Sequence, residues 1–76
     1  AILRQSDLRH TTLANATLNQ ANLSGANLTK ADLRLAELQE ADLNWAVLQE
    51  AELSAANLQG AKLDQSNLER AKLNNC

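Results

Sequence analysis

Leucine recurs at every fifth position of the chain without interruption. Written in fives from Ala1, the third position is leucine in all fifteen complete units, from Leu3 to Leu73. The first position is small: alanine in most units, with Ser6, Thr11, Ser66 and Cys76 as the exceptions. The second position is mostly polar and rich in Asn, Asp and Glu, and the fourth and fifth vary. No insertion breaks the register, so the pattern predicts one repeat domain over 1–76, with no linker.

Five is the period of neither regular element. On an α-helix each residue turns about 100°, so leucines five apart spiral around the surface and form no stripe. On a straight strand side chains alternate, and an odd spacing sends successive leucines to opposite faces. A mixture of the two backbones satisfies the pattern. Alanine and leucine two apart share a face of an extended segment, and the three-residue step to the next alanine requires a bend. Each unit is then a very short strand plus a turn. Such units close into a coil with leucine and alanine inside, and coils stack as parallel strands about 4.8 Å apart.

The turn can be checked against residue chemistry. If the fourth and fifth positions are the centre of a β-turn, type II geometry favours Gly or Asn in the fifth. Gly25, Gly60, Asn15 and Asn75 fit. Leu35 and Trp45 stand at the same position, and large side chains disfavour positive φ. The expectation is that those two corners use another turn type.

The stretch ANLSGANLTKADL, Ala21 to Leu33, gives the recurring unit as A[DN]Lxx. In tandem over the whole chain this resembles the pentapeptide-repeat proteins. The resemblance implies an all-β fold: a right-handed quadrilateral parallel β-helix, a solenoid of nearly four coils with four pentapeptides per coil, forming a rod about 18 Å tall. The family often places phenylalanine at the central position, which this chain never does. Members often carry a capping helix, for which the repeat leaves no residues. Both ends of the rod are then expected to expose unpaired strand edges, a known route to association, and self-association through uncapped ends is the expected partner interaction.

A twenty-residue coil makes the surface legible, since residues n, n+20 and n+40 stack. His10, Lys30, Glu50 and Arg70 form one ladder with Glu50 between two cations, Asp42 sits over Lys62, and Glu52 over Lys72. Six acids fall between Asp32 and Glu52, and pairing with cations on adjacent coils is their expected role. Trp45, the only aromatic residue, points outward above Gly25, with Val47 flanking the same corner and Leu35 outward at the opposite one. Trp45, Val47 and Leu35 are the candidate interaction surface, although Trp45 is also placed to lie flat over the space its ladder leaves at Gly25.

Composition narrows the function. The net charge of −2 is too small for a nucleic-acid binder, and no direct nucleic-acid binding is expected. The longest apolar run is far too short to span a bilayer and no signal segment is visible, so no membrane association is expected and the chain reads as soluble, without indication of compartment. One histidine and one cysteine offer no catalytic pairing and no metal set, and Gly25 and Gly60 stand apart rather than in a phosphate loop. No cofactor and no metal are expected. Cys76 is expected to be a core-type small residue or a free thiol. The chain is thus expected to be no enzyme but a structural or protein-interaction module with an unidentified protein partner. The resemblance implies one alternative, a DNA-mimicking protein that binds a type II topoisomerase such as DNA gyrase.

Overall fold

A computed structural model describes residues 2–74; the expectations for Asn75 and Cys76 lie outside them. Parallel bridges join second-position residues twenty apart and build four ladders. One runs Ile2, Asn22, Asp42, Lys62 and the next Asp7, Asn27, Val47, Asn67. The third runs Thr12, Asp32, Glu52, Lys72 and the fourth Thr17, Glu37, Asn57. Four pentapeptides therefore separate each residue from the one stacked on it, in a parallel β-helix.

Every described turn is built alike. The first-position N–H donates to the leucine carbonyl three residues back, from Ser6 to Leu3 at 3.2 Å through Ala71 to Leu68 at 2.9 Å. The fifth position has positive φ throughout, in the glycines Gly25 and Gly60 and in twelve other residues. Leu35 (φ 60°) and Trp45 (φ 66°) are among them, so the expectation of a different turn type at these corners is corrected. The local preference of a large side chain against the left-handed region is about 1–2 kcal/mol. It is overridden because each corner is held from two sides. Ala46 N–H closes the turn onto Leu43 O at 3.0 Å, and Trp45 N–H reaches Asp64 O of the next coil at 2.9 Å. Leu35 N–H likewise donates to Ser54 O at 3.1 Å. A backbone fixed by both bonds has no alternative conformation to relax into.

The unit spanning 42–46 shows how completely the main chain is used. Asp42 N–H donates down to Ala21 O, Leu43 N–H up to Lys62 O, Trp45 N–H up to Asp64 O, and Ala46 N–H within the turn. The fourth-position N–H remains, and the second-position side chain takes it: Asn44 N–H donates to Asp42 Oδ1 at 3.0 Å. The same bond runs from Ser24 to Asn22, Thr29 to Asn27, Gln59 to Asn57 and Glu69 to Asn67. This is the physical reason for Asn and Asp at the second position, whose short side chain reaches the backbone two residues on. Where the second position is Glu37 or Lys62, the acceptor comes from the coil below: Asn19 Oδ1 for Gln39 N–H and Asn44 Oδ1 for Asp64 N–H.

The interior holds leucine on leucine and alanine on alanine. Leu23, Leu28, Leu33, Leu38, Leu43, Leu48 and Leu53 are fully buried, with Ala21 to Ala56 lining the same column. Leu3, Leu8, Leu13, Leu18, Leu58, Leu63 and Leu68 are only partly buried against it, and Leu73 is 43% exposed. The core thus lies in the middle of the stack. The extents of 25 × 21 × 20 Å are nearly equal. Height accrues by about 4.8 Å per coil, while the width of a four-sided coil is fixed.

Two stability measurements test this arrangement. Ala46→Leu is expected to overpack the wall and cost about 1–3 kcal/mol in denaturant unfolding, whereas Lys62→Gln on the outside should stay within about 0.5 kcal/mol. Leu35→Gly is expected to leave stability unchanged or raise it by up to about 1 kcal/mol, because relief at the left-handed corner offsets glycine's extra unfolded-state entropy. A clear loss for Leu35→Gly would show that the corner is not strained.

Candidate interaction surface

The side chains free to vary are those at the second, fourth and fifth positions, and the lattice fixes where each stands. Trp45 is 67% exposed and Leu35 57% exposed at opposite corners, and Val47 is half-buried on the side that leads away from Trp45. Trp45 and Val47 therefore share one region, and Leu35 is not part of it. Trp45 does not occupy the space left by Gly25. A Cβ built on Gly25 would lie 3.0 Å from Gln5 Cγ, and the next nearest atoms also belong to Gln5. The Gly60 position is filled in the same manner by Glu40 from the coil before it. Corner side chains in these two ladders lean toward the following coil, which leaves the Trp45 ring out in solvent.

The side carrying Val47 is nearly free of charge in its middle coils, where Gly25, Asn27 and Thr29 lie under Trp45, Val47 and Gln49. Asn27 Oδ1 accepts from both Thr29 N–H at 3.1 Å and Thr29 Oγ1 at 2.6 Å. Asn67 Oδ1 accepts from Glu69 N–H. With Oδ1 engaged, the Nδ2 groups of Asn27 and Asn67, on either side of Val47 in the ladder, have no hydrogen-bond partner among the described residues. Val47 itself has no acceptor to offer, and Gln49 N–H has no partner among the described residues. A shallow pocket of about 110 Å³ opens beside it, lined by Thr29, Gln49, Glu50, Glu69 and Arg70. Sequence reasoning found Trp45 and Val47 by their apolar character. It missed the unanswered N–H, although a second position without Asn or Asp was the visible signal.

The charges pair more locally than stacking suggested. Glu50 does lie between Lys30 at 3.9 Å and Arg70 at 3.7 Å. The strongest pairs, however, are within single units. Arg9 Nε and Nη2 donate to Asp7 Oδ1 and Oδ2 at 2.8 and 2.7 Å, and Arg34 grips Asp32 with the same distances. Asp42 and Glu52 stack on Lys62 and Lys72 as bridge partners, but neither forms an ion pair within 4.0 Å among the described residues. Side chains at second and fourth positions project together from one short strand, so an Arg reaches its own Asp before it reaches a neighbouring coil. The Arg9 guanidinium, followed by the Arg9 N–H, holds the Asp7 carboxyl down at about 2. Arg34 lowers Asp32 by the same two contacts. No group of three or more metal-ligating side chains is placed together among the described residues, and no helix is long and apolar enough to cross a membrane.

The family model for pentapeptide repeats matches in 8 copies over residues 1–39 and 36–75. The chain belongs to the pentapeptide-repeat family. No curated protein matches it significantly. Among solved structures it is similar to the pentapeptide-repeat protein HetL of the cyanobacterium Nostoc, involved in heterocyst differentiation regulation. The two are 37% identical, with a TM-score of 0.88 over 92% of this chain and 33% of HetL. It is also similar to a pentapeptide-repeat protein of the Arabidopsis thaliana thylakoid lumen, 34% identical with a TM-score of 0.88 over 92% of this chain and 49% of that one. The chain thus spans a third to a half of the length of these two relatives. The pentapeptide repeat explains the Ala, Leu and Asx positions of this surface as lattice, and leaves Trp45, Val47 and Leu35 as residues the lattice does not require.

The Arg9 grip predicts a pH signature. Asp7 is depressed below its ordinary value of about 3.9, so its contribution to stability is complete above that value. It is lost as pH falls toward about 2. Carboxyl titration by NMR is expected to place Asp7 near the bottom of the carboxylate range and to return it toward the ordinary value in Arg9→Gln; a midpoint unmoved by Arg9→Gln would exclude the pairing.

Proposed function

We propose that the chain is a right-handed, four-sided β-helix of nearly four coils that serves as a non-catalytic interaction module. Its lattice positions Trp45 and Val47 to bind an unidentified protein partner. The observation that carries the reading is the exchange at Val47. In that ladder Asp7, Asn27 and Asn67 each close a bond to the N–H two residues on. Val47 forgoes this bond and sets an apolar side chain beside the solvent-exposed Trp45. Giving up a backbone hydrogen bond costs about 0.5–1.5 kcal/mol, and in exchange the surface gains an aromatic anchor with an apolar flank ringed by amides. That composition suits the centre of a protein interface, where Trp is enriched and charge depleted. Leu35 stands on the opposite corner and serves as an internal control.

The topoisomerase-binding alternative draws less support. Of the acids between Asp32 and Glu52, Asp32 and Glu50 are already neutralised by Arg34, Lys30 and Arg70. Glu37 and Glu40 accept from the amides of Asn19 and Gln20. With two of its six acids offset by cations, this stretch is a weaker copy of a phosphate backbone than its acid count suggests. The expected outcome in a gyrase supercoiling assay is no effect.

Val47→Asn separates fold from function. Restoring the acceptor for Gln49 N–H is expected to raise unfolding stability by about 0.5–1.5 kcal/mol. At the same time it should weaken capture of any partner retained by the unaltered chain, as Trp45→Ala should, while Leu35→Ser keeps it. A partner held equally by the Val47→Asn, Trp45→Ala and unaltered chains would place binding elsewhere.

A further inference from the structure

The lattice has two ways of answering the N–H of a fourth-position residue. One is the second-position side chain of the same unit, as Asp42 Oδ1 does for Asn44 N–H at 3.0 Å. The other serves where that side chain is Glu37 or Lys62. An asparagine at the fourth position of the coil below then takes over: Asn19 Oδ1 accepts from Gln39 N–H at 3.0 Å, and Asn44 Oδ1 from Asp64 N–H at 2.9 Å. At Gln49 both ways are closed. Its second-position neighbour is Val47, which carries no acceptor, and the fourth position of the coil below is Thr29, whose hydroxyl is turned to Asn27 Oδ1 at 2.6 Å. Gln49 N–H is left without a partner among the described residues. Ser54 N–H shares this condition, but it follows the charged Glu52 rather than an apolar residue. The vacancy at Gln49 lies within the stack, with Thr29 on the coil below and Glu69 on the coil above.

The surroundings of this donor limit what can answer it. Thr29, Gln49, Glu50, Glu69 and Arg70 line the pocket beside it. Glu50 is held between Lys30 and Arg70, and Glu69 Oε1 accepts from Gln49 Nε2 at 3.2 Å. Two carboxylates beside one guanidinium disfavour a further anion, so a neutral oxygen suits the site better than a carboxylate. Val47, half-buried, adjoins the donor, and Trp45, 67% exposed, lies beyond it. An occupant that covers this apolar flank and also satisfies the N–H must carry an apolar group and a neutral acceptor side by side.

We infer that the partner bound at Trp45 and Val47 presents an asparagine side chain, whose Oδ1 accepts from Gln49 N–H while an apolar neighbour in the partner's chain rests on Val47 and Trp45. This rests on the reading of Trp45 and Val47 as the interaction surface and adds the chemistry of what they hold. The choice of asparagine follows from Gln39 and Asp64, where an asparagine from another coil already answers the equivalent N–H. The partner does between chains what Asn19 and Asn44 do within one. The bond also gives selectivity. Once an apolar group covers Val47 and displaces water, a partner without the acceptor leaves Gln49 N–H desolvated and unpaired, which is unfavourable.

Titration of the isotope-labelled chain with capped tripeptides, carrying asparagine, aspartate or alanine between two leucines, tests this by two-dimensional NMR. The asparagine peptide is expected to move the Gln49 amide and the Trp45 indole resonances together. It should bind about two- to tenfold more tightly than the alanine peptide, and more tightly than the aspartate one. Thr29→Asn places an acceptor where Asn19 and Asn44 stand in their ladders and leaves Val47 and Trp45 untouched. In that variant the preference for asparagine should vanish while the shift at Trp45 persists, with circular dichroism identical to that of the unaltered chain. Asparagine and alanine peptides that move Trp45 with equal affinity would overturn the inference and leave the side-surface reading standing. A Gln49 amide unmoved by every peptide, or a preference for asparagine retained in Thr29→Asn, would overturn it as well. The side-surface reading fails by a different result, a partner held equally by Trp45→Ala and the unaltered chain.

Discussion

Everything in this fold depends on one corner: a residue held at positive φ, closed by a hydrogen bond within the turn and pinned by another to the coil beyond it. Only with the fifth residue in the left-handed region does the chain turn sharply enough for the next alanine and leucine to face inward again. Four such corners return the chain to its starting column, and that return makes stacking possible. Burial of leucine follows from the corner rather than causing it. The leucines supply the gain, but the geometry that allows them to stack is set by the main chain.

The corner also shows why some of the structure was legible in the sequence and some was not. The inward positions were plain because nothing but a five-residue strand-and-turn unit keeps Leu3 through Leu73 on one side. The corners at Leu35 and Trp45 were misjudged because the preference of an isolated residue was weighed against positive φ, when the ladder fixes that angle cooperatively. A tryptophan tolerates the left-handed region here because Gly25 and Gln65 above and below it impose the same backbone. The cost is paid by the stack, in a place where sequence preferences are silent.

The Asx position teaches a second lesson. In the sequence, Asn and Asp in the second place are legible only as a recurring polar position of the repeat. They are specific acceptors that complete the backbone accounting of each unit, and the same geometry explains the Asp7–Arg9 and Asp32–Arg34 pairs. Looking twenty residues along the chain found the Lys30–Glu50–Arg70 ladder but overlooked partners two residues away. Within the acidic stretch Glu50 pairs with cations on adjacent coils as expected, Asp32 pairs inside its own unit, and the pairs expected of Asp42 with Lys62 and Glu52 with Lys72 do not form among the described residues. What lay wholly outside sequence reasoning was the direction in which corner side chains lean, which decides that Gln5 rather than Trp45 fills the space at Gly25.

The fixed register turns chain length into angle. Adding five residues between two units would leave every leucine and alanine inside, and every corner intact, yet it would carry all later outward residues a quarter of the way round the column. Adding twenty would return them to their columns one level higher. Trp45 and Val47 stand next to each other because they are two residues apart, whereas Leu35, ten residues from Trp45, stands at the opposite corner of the coil. In such a lattice a surface can be re-sorted by whole units of sequence without disturbing the interior, so the number of repeats between two residues decides which side of the molecule they share.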